Sequence, residues 1–350
     1  MTPADAVRAS FAEQAPTLER LGSPFMGRLM RLLAERLAPG TPISDKVLAW
    51  KGDPRAAADN VSLRLAGGLH ALVISNTEPE LASAYPPNDV SDDVLWSAID
   101  SAFRRHSDTL SPWLDRPPQT NEVRRAAALI PALHLLARET GKPLAVWEVG
   151  CSAGLALRMD RFHLSAGSTS YGPGESAVRL RPDWTGAPPA PSRIEIVDRQ
   201  GVDLSPLDPA DPEHRLRLLS YLWPDQPDRR ALTKAAISVA LETPARIQKA
   251  DALDWLARTL PTRREGVATL LFHTVAWQYL PPKARARGEA MIAAEGARAT
   301  PDSPLARLSL EGDGEPQAAL TLQVWPGGRC RHLGRADFHG RTVEWGSSKS

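Results

Sequence analysis

One stretch of sequence decides the fold of this chain: Leu144-Ala145-Val146-Trp147-Glu148-Val149-Gly150-Cys151-Ser152-Ala153-Gly154. Its first half is apolar apart from Glu148, which is typical of a central parallel strand covered on both faces. Small residues follow from Gly150 to Gly154, and residues 155–162 then have the pattern of a helix. A strand, a small-residue turn and a helix form the unit that opens a nucleotide-binding α/β sheet. The stretch therefore predicts an α/β fold with a ligand near the turn, where small residues allow close approach and supply N–H donors.

Strand and helix patterns alternate after this stretch, which favours a mostly parallel sheet. The further predicted strands of this sheet are 193–204, 246–250, 267–275 and 305–310. Two late strands, 320–325 and 341–345, are expected to form an antiparallel edge joined through a turn at Gly327-Gly328. Residues 165–192 are rich in Gly, Pro and Ser and are predicted to be a surface insertion.

The first part of the chain has a different pattern. Apolar residues recur at helical spacing, without the alternation expected of strands. Examples are Phe25, Leu29, Leu32, Leu33 and Leu37. We therefore expect residues 1–117 to form an all-α cap region and residues 118–350 to form the α/β domain.

Composition and charge exclude several classes of protein. Lys and Arg number 42 against 41 Asp and Glu, a net charge of +1, which argues against a general nucleic-acid-binding protein. Cys151 and Cys330 fit a reducing compartment, although a single disulfide between them is left open. The sequence shows no signal peptide and no apolar run near the ~20 residues of a membrane span. A cytoplasmic protein that does not enter membranes is predicted.

The turn motif resembles the first motif of class I S-adenosylmethionine (SAM) methyltransferases. Glu148 stands in the position of the acid, Gly150 and Gly154 are the outer glycines, and Ser152 replaces the middle glycine. The resemblance implies a Rossmann-like methyltransferase sheet with SAM as the cofactor. It also implies that Asp203 binds the ribose hydroxyls. Asp203 follows Gly154 by 49 residues, whereas about 20 is usual, so Asp198 is a competing candidate.

The same resemblance assigns residues at two later strand ends. Asp251 and Ala252 correspond to the adenine-binding position, and His273 lies where the methyl-transfer site is expected. Methyl transfer does not require a general base. If one exists, we expect His273, with Tyr279 or Asn121 as orienting groups. Structural roles remain open for these residues: Asp203 as a turn acid, Asp251 as a helix N-cap and His273 as a core histidine.

A second resemblance covers nearly the whole chain. Its motifs are Gln119-Thr120-Asn121-Glu122-Val123, Glu148-Val149-Gly150, Ser152-Ala153-Gly154-Leu155, Asp160-Arg161, Gly201-Val202-Asp203, Pro206-Leu207-Asp208-Pro209, Trp223-Pro224-Asp225-Gln226 and His339-Gly340. They are similar to an uncharacterised bacterial family, domain of unknown function 2332. This resemblance implies a methyltransferase-like fold and transfers no activity.

The same turn motif also allows a hydrolase. Residues 150–154 also match Gly-x-Ser-x-Gly, the nucleophile elbow of α/β-hydrolases, with Ser152 as nucleophile. Its chain order allows Asp225 or Asp251 as the acid and His332 or His339 as the base. The helical pattern upstream of the turn argues against this alternative, because an elbow normally follows several strands.

Three further kinds of site were compared with the motifs. A non-catalytic SAM- or nucleotide-binding module would share the same turn motif, so this alternative stays open. A nicotinamide site would need Gly-x-Gly-x-x-Gly, which the turn lacks. No metal is predicted, since the spacing of Cys330, His332, Asp337 and His339 fits no zinc pattern. We therefore predict a SAM-dependent methyltransferase, and its neutral net charge favours a small-molecule substrate.

Overall fold

The computed structural model of the chain describes residues 2–346, which form two compact units. The first unit comprises the residues up to Thr120 together with Asp211–Ala231. The second comprises Asn121–Ala210 and the residues from Leu232 onward. The first unit is thus assembled from two separate segments, which the sequence patterns did not predict. Residues 347–350 of the predicted α/β domain lie outside the described residues.

The α-helices and β-strands are numbered in chain order. The helices are α1 (Pro3–Arg20), α2 (Pro24–Arg36), α3 (Pro42–Leu48), α4 (Val61–Ile74), α5 (Pro79–Ala84), α6 (Asp92–Arg105), α7 (Ser107–Leu114), α8 (Ala126–Thr140), α9 (Pro212–Ser220), α10 (Pro227–Glu242), α11 (Ala252–Thr259) and α12 (Pro282–Ala297). The strands are β1 (Leu144–Val149), β2 (His163–Ala166), β3 (Thr169–Tyr171), β4 (Arg179–Leu180), β5 (Asp183–Thr185), β6 (Ile196–Asp203), β7 (Arg246–Lys249), β8 (Ala268–Thr274), β9 (Leu305–Glu311), β10 (Ala318–Trp325), β11 (Arg329–Ala336) and β12 (Thr342–Trp345). Short 3-10 helices lie between some of these elements, among them Leu155–Arg161 directly after the turn that follows β1.

The helices of the first unit begin at local sequence signals. Helices α1, α2 and α3 each start with proline after a serine or threonine, and proline at this position costs no hydrogen bond. The hydroxyls of Thr2, Ser23 and Thr41 each accept the N–H three residues later. These caps fix the helix starts, and the apolar faces of the helices then pack into one core.

The later segment of the first unit is fastened to the earlier one. Trp223 is part of the same helical core. The carboxylate of Asp225 accepts hydrogen bonds from the hydroxyl of Ser23 at 2.5 Å and from the N–H of Phe25 at 3.0 Å. An acid at the first turn of α2 is favourable, because the helix dipole is positive there.

The second unit is built on a nine-stranded sheet with the order β5-β12-β11-β10-β9-β8-β1-β6-β7. Strands β7, β6, β1, β8 and β9 are parallel neighbours, and β9 to β12 are joined in antiparallel pairs. Every residue of β1 is buried, as its apolar sequence predicted. The mixed α/β class, the large mostly parallel sheet and the N-terminal helices are therefore confirmed.

Two details of the sheet differ from the sequence prediction. Residues 165–192 are more than an insertion of loops, because β2, β3 and β4 form a small separate sheet and β5 pairs with β12 at the edge of the large one. The Gly327-Gly328 turn leads into β11, a strand that we did not predict, and not into residues 341–345. The start of β11 is polar and only partly buried, so it lacks the apolar pattern of a strand. Within residues 2–346, no helix is long and apolar enough to cross a membrane.

His70 is a buried histidine of the first unit. It lies on α4, and its Nδ1 donates to the carbonyl oxygen of Ser220 at 3.1 Å. Burial lowers the pKa of His70 to about 4, although hydrogen bonds to backbone carbonyls oppose the shift. The folded chain therefore holds this imidazole in its neutral form.

We expect acidification to destabilise the protein through His70. The unfolded chain gains a proton on this imidazole below about pH 6.5, whereas the folded chain resists protonation until about pH 4. This contribution to stability is present above about pH 6.5 and is lost as the pH falls, by about 2 kcal/mol between about pH 7 and pH 5. Urea denaturation at both pH values measures it, and His70→Gln should weaken the dependence. An unchanged dependence in that variant would contradict the assignment.

Candidate functional site

Backbone strain is concentrated where β1 and β8 end. The turn after β1 has positive φ angles at Gly150 (71°), Ser152 (50°) and Gly154 (64°), and the turn after β8 has one at Val275 (49°). A β-branched residue in the left-handed region is an outlier that the surrounding structure must stabilise. Such outliers collect at functional sites. The carboxyl ends of these two neighbouring strands are therefore the first place to search.

The two glycines of the motif are required by packing within the protein. A Cβ atom on Gly150 would lie 2.6 Å from the Cβ of Ala276 in the turn after β8. A Cβ atom on Gly154 would lie 2.7 Å from Cδ1 of Ile247. Both positions are also in the left-handed region, which favours glycine. The turn of β1 thus fits closely against its neighbours, and this packing explains the glycines without a ligand.

Three successive backbone N–H groups of the turn are already hydrogen-bonded. The N–H groups of Gly150 and Cys151 donate to the carbonyl oxygen of Val202 at 2.9 and 3.1 Å. The N–H of Ser152 donates to Asp203 Oδ2 at 2.9 Å. These three N–H donors, which the sequence analysis expected to serve a ligand, therefore tie the turn to β6, and side chains must supply most contacts to a ligand here.

The side chains of Asp203 and Asn121 hold the turn in place by hydrogen bonds to its backbone. Besides binding Ser152, Asp203 accepts the N–H of Ser205 through Oδ1 at 2.8 Å. Asn121 accepts the N–H of Leu155 at 3.1 Å and donates to the carbonyl oxygen of Cys151 at 3.3 Å. The structure thus gives Asp203 the role of a turn acid and Asn121 a role in fixing the backbone.

Two buried polar atoms near the turn lack a hydrogen-bond partner. Glu148 is 2% exposed and Ser152 is 5% exposed, and neither Glu148 Oε2 nor Ser152 Oγ has a partner among the described residues. Burial raises the pKa of Glu148 well above its usual range, the positive charge of Arg158 opposes the shift, and the negative charge of Asp203 adds to it. A buried polar group without a partner is uncommon and calls for an explanation, such as a ligand.

Arg158 supplies the buried positive charge of this region, and the sequence analysis did not identify it. Its Nε donates to the carbonyl oxygen of Thr243 at 2.8 Å and its Nη1 to that of Gly154 at 2.6 Å. Burial, with the nearby charge of Arg199, lowers the pKa of Arg158 to about 10, whereas Glu148 raises it. Arg158 remains positively charged at neutral pH and is committed to the backbone.

Cys151 is an inert thiol in the same turn. Burial raises its pKa well above the usual range, and the nearby charges of Glu148 and Asp203 act in the same direction. A thiol with a raised pKa forms little thiolate and reacts slowly. Cys151 and Cys330 are both free, so the disulfide that the sequence left open is not formed.

Asp198 lies away from the turn. It pairs with Ala145 near the beginning of β1 and accepts hydrogen bonds from Trp147, Gln200 and Arg246 at 2.7–2.8 Å. Burial alone would raise its pKa, but these hydrogen bonds hold the pKa below its usual value. Of the two acids considered for the ribose, only Asp203 lies at the carboxyl end of β6.

Asp251 is the N-cap of α11. Its Oδ1 accepts the N–H groups of Leu253 at 2.8 Å and Asp254 at 3.2 Å. The side chain is exposed, and Ala252 is the first residue of the helix. The geometry thus gives Asp251 the capping role that the sequence left open, and it does not test the adenine-binding role.

The predicted catalytic residues do not meet Glu148. Glu148 lies opposite Phe272 in the parallel register of β1 and β8, so His273 points to the other face of the sheet. There its Nδ1 lies 2.7 Å from Glu311 Oε1, and its Nε2 accepts from Arg307 Nε at 3.1 Å. Tyr279 is 68% exposed to solvent. Sequence spacing could not separate the two faces, because it did not fix the register of β8.

Substitutions at Ser152 and Gly150 test the account of the turn. We expect Ser152→Gly to raise the free energy of unfolding by about 1 kcal/mol, because glycine relieves the strain and the unpartnered hydroxyl is removed. Gly150→Val should lower it by about 3 kcal/mol or more through strain and contact with Ala276. Chemical denaturation measures both, with Ser152→Ala as the control that removes the hydroxyl alone. A destabilised Ser152→Ala would show that Oγ has a partner in solution.

Glu148→Gln tests the buried carboxyl. An acid whose pKa is raised by folding contributes stability below its unfolded pKa, about 4.5, and this is lost as the pH rises. Glutamine cannot ionise, so the variant should be more stable than the parent near pH 7, and the gap should narrow towards pH 4. Thermal melts across this range measure the gap, with the exposed Glu265→Gln as control. A gap that widens on acidification would contradict the raised pKa of Glu148.

Comparisons with known proteins place the chain in a family. A search of curated proteins finds no match. One family model, described as "Uncharacterized protein conserved in bacteria (DUF2332)", matches residues 8–345 and therefore nearly the whole chain. The resemblance found in the motifs is thus confirmed at the level of the family, and the chain belongs to this family of uncharacterised bacterial proteins.

Proposed function

We propose that this protein is a SAM-dependent methyltransferase that acts on a small molecule. The first support is the order of the parallel strands. Numbered along the chain, β1, β6, β7, β8 and β9 are the first to the fifth, and their order in the sheet is 3-2-1-4-5. This is the order of a Rossmann-like sheet, in which the ligand binds beside the first strand where the order reverses. In this chain that point lies between β1 and β8.

The observation that carries the proposal is the pair of unpartnered atoms at this point. Glu148 Oε2 and Ser152 Oγ are buried at the end of β1 without a partner among the described residues. The strained backbone at Ser152 and Val275 lies at the ends of the same two strands. Unsatisfied polar groups and strained backbone together are typical of a binding site.

The polar groups of SAM fit these residues. SAM carries an ammonium group, which can donate to the carboxyl of Glu148, and two ribose hydroxyls, for which the carboxylate of Asp203 at the end of β6 is an acceptor of the right kind. When bound, SAM supplies a methyl group on a sulfonium, which leaves by in-line displacement. The role of this chain is then to hold the cofactor and the acceptor in line and to exclude water. A ligand that reaches Glu148 would have to displace part of the turn, since the carboxyl is buried.

A second candidate is a non-catalytic module that binds SAM or a nucleotide. It is favoured by the position of the expected catalytic residues, since His273 lies on the other face of the sheet, Tyr279 is exposed and Asn121 is bonded to the turn. The hydrolase alternative finds no support in the geometry. A nucleophilic serine needs a base within hydrogen-bond reach, and Ser152 Oγ has no such partner among residues 2–346.

Titration of the protein with SAM and with its demethylated product tests the proposal. We expect micromolar dissociation constants by calorimetry. Asp203→Ala should weaken binding roughly 30- to 1,000-fold, because two charge-assisted hydrogen bonds are lost. It should also lower the melting temperature, because the N–H groups of Ser152 and Ser205 lose their acceptor.

Asp198→Asn is the matched control for this titration, since it changes an acid of the same strand far from the turn. It should reduce stability and leave the affinity for SAM within a few-fold of the parent. No heat and no thermal shift with either ligand would overturn both the methyltransferase and the binding-module proposals. Ester hydrolysis that disappears in Ser152→Ala, without any SAM binding by the parent, would establish the hydrolase instead.

A further inference from the structure

A polar cavity of about 290 Å³ lies on the face of the sheet opposite Glu148. Strands β8, β9 and β10 and helix α12 contribute to its walls. Its charged residues are Arg285, Arg307, Glu289 and Glu311, and His273 lies among them. The proposed methyl transfer uses none of these side chains. The cavity therefore needs an account of its own.

A chain of hydrogen bonds holds Arg307 in place. A guanidinium can only donate, so His273 Nε2, 3.1 Å from Arg307 Nε, must be the acceptor and carries no proton. Burial lowers the pKa of His273, although Glu311 opposes the shift, so the ring is neutral and its proton is on Nδ1. Nδ1 then donates to Glu311 Oε1 at 2.7 Å. Arg307 is thereby fixed through its Nε, which leaves both of its Nη groups for other partners.

The negative charge of Glu311 is already satisfied. Besides His273, its two oxygens accept the backbone N–H groups of residues 276–278 at 3.0–3.2 Å. The other acid of the cavity, Glu289, is exposed on α12 and forms no ion pair with Arg307 or Arg285 among the described residues. Among residues 2–346, neither arginine therefore forms an ion pair with a carboxylate, although the charges of Glu289 and Glu311 act on Arg307 from a greater distance.

Arg285 and Arg307 are two positive charges that share one cavity. Arg307 stacks over the ring of Trp277 at 4.8 Å, and burial lowers its pKa, although the charges of Glu289 and Glu311 oppose the shift. Arg285 donates through one Nη to the carbonyl oxygens of Gln278 and Leu280, and its buried Nε has no partner among residues 2–346. Removing two cations from water is costly unless an anion compensates them.

We propose that this cavity binds the carboxylate or phosphate group of a small molecule through the guanidinium groups of Arg285 and Arg307. Guanidinium groups form paired, charge-assisted hydrogen bonds with both kinds of oxyanion. The volume is at the lower end of the range for small-molecule sites. A compact metabolite is therefore favoured over a macromolecule. The inference does not depend on SAM binding, since the two sites lie on opposite faces of the sheet.

Calorimetric titration with inorganic phosphate and, separately, with succinate tests this site at low ionic strength and without SAM. We expect the parent protein to bind at least one of the two anions with a dissociation constant of about 1 mM or tighter. Arg307→Met and Arg285→Met should each weaken that binding roughly 10- to 100-fold. Arg287→Met is the matched control, because Arg287 is exposed on the same helix as Arg285, and it should bind like the parent.

The comparison of the two anions shows which oxyanion the cavity prefers. Equal affinity in the parent and all three variants would show an adventitious ion on the surface and would overturn the proposal. Absence of binding of both anions by the parent would also overturn it. Thermal melts show first whether each variant folds. If Arg307→Met does not fold, the affinity of Arg285→Met, a substitution on α12, decides alone whether the cavity binds the anion.

Discussion

The turn after β1 is the constraint on which the rest of the second unit depends. Because β1 is buried on both faces, the polar backbone groups at its end must find partners within the protein. They find them on the end of β6, where Val202 and Asp203 accept three successive N–H groups. This arrangement requires left-handed backbone at Gly150 and Ser152, and it brings Gly150 against Ala276. One hydrogen-bonded turn therefore fixes how the ends of β6, β1 and β8 meet.

The sheet divides the polar residues of the second unit into two groups. Alternation along β8 sends Phe272 to the face of Glu148 and His273 to the opposite face. On the first face little charge is available to a ligand. Arg158 is bonded to carbonyl oxygens, and the raised pKa of Glu148 favours its neutral form. On the second face the carboxylate of Glu311 is stabilised by its hydrogen-bond donors, whereas Arg285 and Arg307 form no ion pair with an acid within residues 2–346. The two faces thus suit different ligand groups.

The sequence predicted the elements far better than the contacts between them. Strands β1 and β8 were found because strands buried on both faces leave nearly continuous apolar runs. Strand β9 was found from its alternating apolar residues, whereas the partly exposed β11 has neither pattern. The capping role of Asp251 depends on its neighbours in sequence and could be foreseen. The hydrogen bonds between Ser152 and Asp203 and between His273 and Glu311 join residues 51 and 38 positions apart. Such contacts depend on strand register, which local patterns do not determine.

The same short loop contacts the turn of the first candidate site and lines the cavity of the second. In residues 275–278, Ala276 packs against Gly150 below the first site, while Trp277 and Gln278 line the cavity of the second. Glu311 holds this loop through three N–H groups, and Val275 at its start has a strained backbone. A ligand that shifted this loop at one site would therefore change the geometry of the other. Because coupling between two binding sites is reciprocal, an anion in the cavity and a ligand beside Glu148 would change each other's affinity by the same factor.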